Sequence, residues 1–101
     1  MTRVDLQYKL EEILGSRNVY FQPPSSLQLK YPCIVYTRDS IDQEYSNNSK
    51  YFLRKRYPIT VIDSNPDSSI LDKVLSLPYT SFDRHFVADN MNHDIYSIYI
   101  L

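Results

Sequence analysis

The chain has 101 residues, with 11 Lys and Arg against 12 Asp and Glu for a formal net charge of -1, and it contains one Cys, one Gly and ten Tyr. This length predicts a single domain and excludes most multidomain enzymes, and the near-neutral charge argues against a protein that holds nucleic acid by bulk electrostatics. A chain with one glycine cannot form a glycine-rich phosphate-binding loop. A chain with one cysteine, Cys33, can form neither an internal disulfide nor a metal cluster held by several thiolates.

The amino-terminal segment predicts an amphipathic helix over residues 3–14. Apolar residues recur three or four positions apart, which places them on one helical face; they are Leu6, Leu10, Ile13 and Leu14. Thr2 is a residue type that caps helix starts, and Gly15 is one that ends helices. We therefore expect a helix that begins after Thr2 and stops at Gly15.

The next segments predict a short strand, a loop and a buried strand. Residues 18–22 are β-prone, and Pro23 and Pro24 then stop a regular ladder because proline lacks the backbone N–H. We expect an ordered crossing loop over residues 23–30. The strand that follows, residues 33–39, begins with a continuous apolar run, which is typical of a buried strand.

A polar hairpin connection is predicted over residues 40–49. Asn47-Asn48 can take the left-handed backbone conformation that glycine would otherwise supply. The chain can therefore reverse here without a glycine.

A long strand is predicted over residues 50–63, where side chains alternate between two faces. One face carries Tyr51, Leu53, Tyr57, Ile59 and Val61, and the other carries Arg54, Arg56 and Thr60. Pro58 interrupts this pattern and predicts an edge position or a bulge. At about 3.3 Å per residue, such a strand is longer than the body of a compact domain of this size. Either it bends at Pro58 or the hairpin projects as an arm.

The sequence Asn65-Pro66-Asp67 predicts the start of a second helix. Asn65 is a capping residue type, Pro66 is favoured at the first helical position, and Asp67 places an acid in the first turn. We expect this helix to cover residues 66–77, to end at Pro78, and to bury Ile70, Leu71, Val74 and Leu75.

Two β segments close the chain, over residues 82–88 and 93–101. The turn-prone residues Asp89-Asn90-Met91-Asn92 join them. Together the elements predict an α+β fold in which a mainly antiparallel β-sheet carries two helices packed on one face and a long projecting β-hairpin. Residues 95–101 are apolar on both sides apart from Ser97, so we expect a partner subunit to cover the second face of the sheet.

The histidines form the one cluster with metal-binding or acid–base character. His85 and His93 lie close in sequence to three aspartates, Asp83, Asp89 and Asp94. If the last two strands pair, both imidazoles could meet a carboxylate, and this ligand set suits zinc. The alternative, which we favour, is that these residues shape the turn and form local hydrogen bonds.

Nucleophilic catalysis has weaker support than a metal site. Cys33 lies inside an apolar strand, where a thiol is usually inert. No serine is flanked by glycines in the manner of a nucleophile elbow. We therefore expect no enzymatic activity, no catalytic residue, no cofactor and no metal.

The amino-terminal sequence MTRVDLQYKLEE has no uninterrupted apolar stretch of the kind found in a signal peptide. No run in the sequence approaches the roughly 20 apolar residues of a membrane span. We therefore expect a soluble, intracellular protein that does not contact a membrane.

A basic cluster lies in the predicted hairpin and consists of Lys50, Arg54, Lys55 and Arg56, interleaved with Tyr51 and Phe52. Such a mixture could bind a phosphate backbone with aromatic stacking, as single-strand binding proteins do. It could also be a solvated strand whose charges discourage edge aggregation. In a third interpretation, residues 38–56 form an arm whose basic residues meet the acidic residues of a neighbouring copy, which are Asp39, Asp42 and Glu44.

Several parts of the sequence, taken in order, resemble one family. After the amino-terminal helix they are Tyr31-Pro32-Cys33-Ile34-Val35-Tyr36, Tyr57-Pro58-Ile59-Thr60-Val61-Ile62-Asp63, Asn65-Pro66-Asp67, Phe82-Asp83-Arg84 and Asn92-His93-Asp94-Ile95-Tyr96. Across nearly the whole chain, this succession resembles the small tail-terminator (tail-completion) proteins of long-tailed bacteriophages.

The resemblance implies a non-enzymatic virion protein in which residues 1–101 form one tail-terminator-like domain. Such a protein forms a hexameric ring on the head-proximal end of the tail tube, stops tube polymerisation and offers a docking face to head-completion or connector proteins. Its ring surrounds the path of the DNA, so weak contact with DNA is implied. The implied location is the virion, at the interface of head and tail, after assembly in the host cytoplasm.

The family uses its sheet and hairpin for subunit contacts, which by position points to residues 38–57 and 95–101. Tyrosine and arginine are favoured interface anchors, and the predicted subunit-interface residues are Tyr45, Tyr51, Arg54, Arg56, Tyr57, Tyr96 and Tyr99. Lys50 and Lys55 are the predicted contacts with DNA in the channel. Two alternatives stay open, which are a head-side stopper protein and a small nucleic-acid-binding module that uses the basic cluster.

Overall fold

The computed structural model describes residues 1–46 and 49–101, and it describes side chains outside residues 46–52. In these ranges the elements are α1 (Arg3–Leu14), β1 (Val19–Phe21), β2 (Cys33–Tyr36), β3 (Ser40–Ser46), β4 (Ser49–Asp63), α2 (Ile70–Leu75), β5 (Thr80–Ala88) and β6 (Met91–Ile100). The strands form one sheet in the order β1-β2-β4-β6-β5, and β3 pairs with β4. β1 runs parallel to β2, and the other pairs are antiparallel. The predicted α+β fold is confirmed.

Helix α1 has the predicted bounds because three local signals agree. The Asp5 amide donates to Thr2 Oγ1 at 3.1 Å, and the Thr2 amide donates to Asp5 Oδ2 at 2.9 Å, which makes a reciprocal capping box. Gly15 ends the helix at a φ of 77°, a left-handed conformation that favours glycine. Between these ends, Leu6 and Leu10 are completely buried.

The core lies between the two helices and one face of the sheet. Leu6 and Leu10 of α1 and Ile70 and Val74 of α2 pack in one cluster with alternating residues of β2, β4 and β6. The strand residues of this cluster are Val19, Ile34, Tyr36, Tyr57, Ile59, Val61, Tyr96, Ile98 and Ile100, of which Val19 belongs to β1. Both helices therefore cover the same face of the sheet, as predicted.

The opposite sheet face carries the residues between those positions. Cys33, Ile62 and Ser97 are buried there, whereas Ile95 and Tyr99 are half-buried. In the ranges that the structure describes, neither helix packs on this face.

The segment predicted as a polar hairpin connection is a strand over most of its length. β3 pairs with β4 from Ser40 opposite Arg56 to Ser46 opposite Ser49. The sequence pattern missed this strand because a two-stranded ribbon needs no continuous apolar face to form its ladder. The turn predicted at Asn47-Asn48 lies outside the described residues, so the projecting hairpin as a whole stays a prediction.

Pro58 lies inside the central strand β4 without a bulge, and on one side of β4 it lies in a gap between the strands β2 and β3. Pro58 is opposite Ser97 of β6, and its carbonyl accepts from the Thr37 amide at 3.3 Å. The amide and carbonyl of one strand residue point to the same side of the strand. The missing N–H of Pro58 therefore faces residues 37–39, where β2 has ended and β3 has not begun.

Helix α2 is shorter than predicted, and its start is four residues later. The Asp67 amide donates to Asn65 Oδ1 at 3.0 Å, and the Asn65 amide donates to Asp63 Oδ1 at 3.0 Å. These contacts are turns closed by side chains, which Asp and Asn form as readily as helix caps. The helix begins at Ile70 and buries Ile70 and Val74, whereas Leu75 is 45% exposed, so the predicted burial of Leu75 is wrong.

The last two strands form the predicted hairpin with a shorter turn. Only Asp89 and Asn90 lie in the turn, both with positive φ, as two-residue hairpin turns require. Met91 and Asn92 already belong to β6. β5 carries a bulge at Asp83, between Phe82 and Arg84.

Candidate interaction surface

The β3–β4 ribbon, which we define as Ser40–Ser46 paired with Ser49–Arg56, has chemically different sides. Tyr45 donates from its hydroxyl to Gln43 Oε1 at 2.8 Å, so these two side chains share a side with Ile41. Tyr45 is 61% exposed and Ile41 is 43% exposed. The acidic residues of β3 lie on the other side, as do the arginines of β4. We call Ile41 and Tyr45 the β3 row.

A cleft opens on the other edge of β4, where β6 stops. The pairing of β6 with β4 ends where Ile100 lies opposite Lys55. In the described ranges, residues 49–54 of β4 therefore have β3 on one side and no strand on the other. The cleft has a volume of about 680 Å³ and is lined by Leu53, Arg54, Tyr79, Tyr99 and Leu101. Its lining is mostly apolar, although Tyr79 is 67% exposed. We call it the Tyr79 cleft.

Tyr79 itself has an unusual backbone conformation. Its φ is 58°, in the left-handed region that a bulky residue rarely occupies. The Tyr79 carbonyl accepts from the Tyr99 amide at 3.1 Å, which ties this residue to the end of β6. A strained, exposed aromatic residue at the rim of an apolar cleft is a feature associated with binding sites.

A smaller recess of about 310 Å³ adjoins the cleft and shares Leu53 and Leu101 with it. Arg3 and Lys55 line this recess on the helix side of the sheet. No acidic side chain lines either cavity among the described residues. The charged side chains that line the two cavities among the described residues are Arg3, Arg54 and Lys55, and Arg54 is paired with Glu44.

Arg56 ties the ribbon to the rest of the sheet. Its guanidinium donates to Asp39 Oδ2 through Nη1 and to Ser97 Oγ through Nη2, the latter at 2.8 Å. Ser97 is buried and donates to Asp83 Oδ2 at 2.5 Å, while the same Asp83 oxygen lies 3.6 Å from Arg56 Nη2. We call Arg56, Asp39, Ser97 and Asp83 the Arg56 network. It joins the start of β3, β4, β6 and the bulge of β5.

The charges predicted to pair between copies pair within one chain instead. Arg56 contacts Asp39, and Arg54 Nη2 lies 3.4 Å from Glu44 Oε1. The Arg54 guanidinium also lies over the Tyr99 ring, 5.9 Å from its centroid. The acidic residues of β3 lie beside the basic residues of β4 in the register of this pair. The acids therefore pair with arginines of the same chain and not with those of a neighbouring copy.

The predicted basic patch is not a single surface. Lys55 lies on the helix side of the ribbon, opposite to Arg54 and Arg56, because successive strand residues point to opposite faces. The side chains of Lys50 and Phe52 lie outside the described residues. This arrangement gives the nucleic-acid-binding alternative no concentrated cationic surface in the part of the chain that is described.

The predicted interface tyrosines fall into two groups. Tyr45 is exposed in the β3 row, and Tyr99 is half-buried and lines the Tyr79 cleft. Tyr57 and Tyr96 are 3% and 2% exposed and belong to the core, so their prediction as interface residues is wrong. In a strand, residues two positions apart point to the same face. Tyr57 precedes Ile59 by two residues and Tyr96 precedes Ile98 by two, so the sequence already indicated that these tyrosines face the core. The side chain of Tyr51 lies outside the described residues.

The two histidines do not come together. His85 is opposite Asp94, and its Nδ1 lies 3.0 Å from Asp94 Oδ1. His93 is on the other sheet face, with Nδ1 at 3.1 Å from the Met91 carbonyl and its ring stacked on Phe86 at 4.7 Å. Among the described residues, no three His, Cys, Asp or Glu side chains are placed to hold one metal ion.

Cys33 is buried in β2, and burial raises the pKa of its thiol to about 11. The thiol is therefore protonated near neutral pH, and it lacks the thiolate that nucleophilic chemistry needs.

Ile41 and Leu101 were not singled out, although they lie in the ranges 38–57 and 95–101 to which the resemblance points, and Tyr79 lies outside both ranges. Tyr79 follows the predicted helix end at Pro78, and its exposure depends on the point at which β6 ends beside β4. That point is a property of strand register, for which the sequence carries no local signal.

No protein-family model matches the chain, and a search of curated proteins finds no match. No helix in residues 1–46 or 49–101 has the length and apolar character to cross a membrane. The functional proposal therefore depends on the residues and surfaces described above, together with the resemblance of the sequence to tail terminators.

Proposed function

We propose that the chain is a structural assembly subunit, a tail-terminator-like protein that forms a ring at the head-proximal end of a phage tail tube. The observation that carries this proposal is the pair of exposed apolar surfaces on the two edges of β4. These surfaces are the β3 row and the Tyr79 cleft, and each contains a tyrosine more than half exposed.

A closed ring requires two different surfaces on each subunit, because every copy contacts one neighbour with one surface and the next neighbour with the other. Exposed tyrosines suit such contacts, since they bring apolar area with a polar tip and lose little conformational entropy on binding. The Arg56 network supports the same role, because it holds the ribbon in a fixed position relative to the sheet. A rigid subunit loses less entropy on assembly than a mobile one.

The proposal gives the ring two further partners, the tail-tube protein and a head-completion or connector protein. Its chemistry is that of binding, with neither a cofactor nor a metal. A head-side stopper protein would also form a ring and act by binding alone. It would differ from a tail terminator in binding the head connector first and not the tail tube.

Binding to isolated tail tubes tests the proposal and separates these two roles. The purified protein, labelled and imaged by electron microscopy, is expected at one end of the tubes of its own phage and to halt their elongation. Binding to the head connector with no binding to tubes would identify a stopper instead. A protein that binds neither would contradict the proposed function.

A further inference from the structure

We infer that the Tyr79 cleft and its adjoining recess together bind a single-chain amphiphilic carboxylate. The alkyl chain of this ligand occupies the cleft, and its carboxylate occupies the recess that Arg3 and Lys55 line. The inference concerns the cavities of one chain and does not depend on the proposed function.

The two cations of the recess have no acidic partner among the described residues. Arg3 donates to the Tyr36 hydroxyl at 3.1 Å, and its guanidinium lies 4.4 Å from the centroid of the Phe21 ring, so its contacts are with a phenol and an aromatic face. Lys55 takes part in none of the ion pairs of the described residues. The side chains that are not described, those of residues 46–52, include no acid. An anion from outside the chain is therefore needed to pair with these charges.

The arginines on the other side of the ribbon show the opposite arrangement. Arg54 pairs with Glu44, and Arg56 pairs with Asp39. The chain thus supplies acids for the cations on the outer side of β4 and none for the two that line the recess. Those two are half-buried. A half-buried cation has lost part of its hydration, and a charged hydrogen bond to an anionic ligand offsets this loss.

The neighbours of Lys55 hold it beside the recess. It lies between Ile41 of β3 and Ile100 of β6, which are its partners in the two strand pairs. Lysine buries its methylene stem against such apolar neighbours and keeps its ammonium group where water or a ligand can reach it.

The cleft supplies the apolar half of the site. Its volume of about 680 Å³ lies within the range of about 300–1,000 Å³ that is usual for ligand pockets. Leu53 and Leu101 line both the cleft and the recess, so the two cavities adjoin along shared apolar walls. The charged side chain in the lining of the cleft, Arg54, already pairs with Glu44. Such a cavity, mostly apolar with polar groups gathered at one end, is typical of small-molecule sites.

These features together define the class of ligand. A neutral alkyl compound would leave both cations without a partner, and a small anion would leave the cleft empty. An alkyl carboxylate matches both cavities, because its head group accepts hydrogen bonds from guanidinium and ammonium groups and its chain covers apolar surface. A DNA phosphate, the contact predicted for Lys55 from the resemblance, would use the recess alone.

Calorimetric titration with three probes tests this site. Laurate carries the chain and the negative charge, acetate carries the charge alone, and dodecyltrimethylammonium carries the chain with the opposite charge. The probes are kept below their micelle concentrations, and the protein is kept at a concentration at which its native mass is that of a monomer, because the cleft is also a surface of the proposed assembly. We expect one laurate per chain, bound at least about tenfold more tightly than either other probe.

Variants of Lys55 show whether the recess holds the carboxylate. We expect Lys55→Gln to weaken laurate about fivefold. Lys55→Glu should weaken laurate further and strengthen dodecyltrimethylammonium, a gain that an unfolded variant would not show. Lys30→Gln is the matched control and should bind as wild type does, since Lys30 is exposed and lines neither cavity. Circular dichroism verifies that each variant is folded.

Three outcomes would overturn the inference. Acetate that binds as tightly as laurate would show that the cleft takes no part. Dodecyltrimethylammonium that binds wild type as tightly as laurate would show that the cations take no part. Equal laurate affinities of wild type, Lys55→Gln and Lys55→Glu would place the carboxylate elsewhere. None of these results bears on the proposed function, whose failure is read from tail-tube binding.

Discussion

Tyr96 shows how one buried side chain links the fold to pH. Burial, and then the charges of Asp94 and Asp72, raise the pKa of the Tyr96 phenol from 10 to about 12. The phenol hydroxyl donates to the Leu71 carbonyl at 3.4 Å, which joins β6 to α2. The folded protein therefore favours the protonated phenol more strongly than the unfolded chain does.

Alkaline titration provides a residue-scale prediction. Because the folded pKa is the higher one, the contribution of Tyr96 to stability is complete below pH 10 and is lost as the pH rises towards 12. We expect Tyr96→Phe to flatten the fall of unfolding free energy over this interval, measured by urea unfolding at a series of pH values. The exposed Tyr8→Phe variant is the control and should keep the wild-type slope. An identical slope for Tyr96→Phe would refute the assignment.

Tyr79 gives a second prediction at this scale, in which stability and assembly separate. Asparagine tolerates the left-handed backbone of this position better than a bulky residue does. We expect Tyr79→Asn to unfold at the wild-type temperature or slightly above it, yet to lose assembly, because it removes the aromatic rim of the cleft. Differential scanning calorimetry and native mass measure the two effects. A variant that is less stable and still assembles would show that Tyr79 has a structural role only.

At the scale of elements, the Arg56 network determines how the β3–β4 ribbon joins the sheet. Arg56 contacts partners on β6, on the bulge of β5 and before β3, whereas Arg54 pairs with Glu44 across the ribbon and lies over the Tyr99 ring of β6. Loss of Arg56 would leave buried Ser97 and two carboxylates without this donor.

We expect Arg56→Gln to lower the free energy of unfolding by about 1 kcal/mol, as for a partly exposed charged hydrogen bond. Amide hydrogen exchange in residues 40–46 should also become faster, since the ribbon loses its tie to β5 and β6. Arg54→Gln is the comparison variant, and because its pair with Glu44 is exposed, we expect it to lower the free energy of unfolding by less than Arg56→Gln does. Equal effects of the two variants would contradict the role of the network.

The elements also show which features a sequence can predict. Helix α1 was predicted to the residue because its apolar stripe, Thr2 cap and Gly15 stop agree with one another. The start of α2 was wrong because Asn65 and Asp67 form a turn with the same chemistry as a cap. β3 was missed because it has no apolar pattern of its own. It is a strand because it pairs with β4.

The candidate surface was less predictable than the fold for a physical reason. Of the tyrosines predicted as interface residues, Tyr45 is exposed and Tyr99 is half-buried, whereas Tyr57 and Tyr96 face the helices and are buried. The Tyr79 cleft exists because β6 ends opposite Lys55 while β4 continues. The point at which β6 ends beside β4 depends on the register between strands that are far apart in the chain. No short stretch of the sequence specifies that register.

At the scale of the whole molecule, the chain extends 51 Å along its longest axis and 28 and 23 Å along the others. An elongated body with apolar surfaces on two edges of one strand is suited to assembly into a closed ring.

The native mass of the wild-type protein in solution tests the central claim most directly. We expect one closed oligomer, a hexamer of the 12.0 kDa chain, whose mass does not increase further with concentration. A mass of 12.0 kDa at every concentration up to the millimolar range would contradict it.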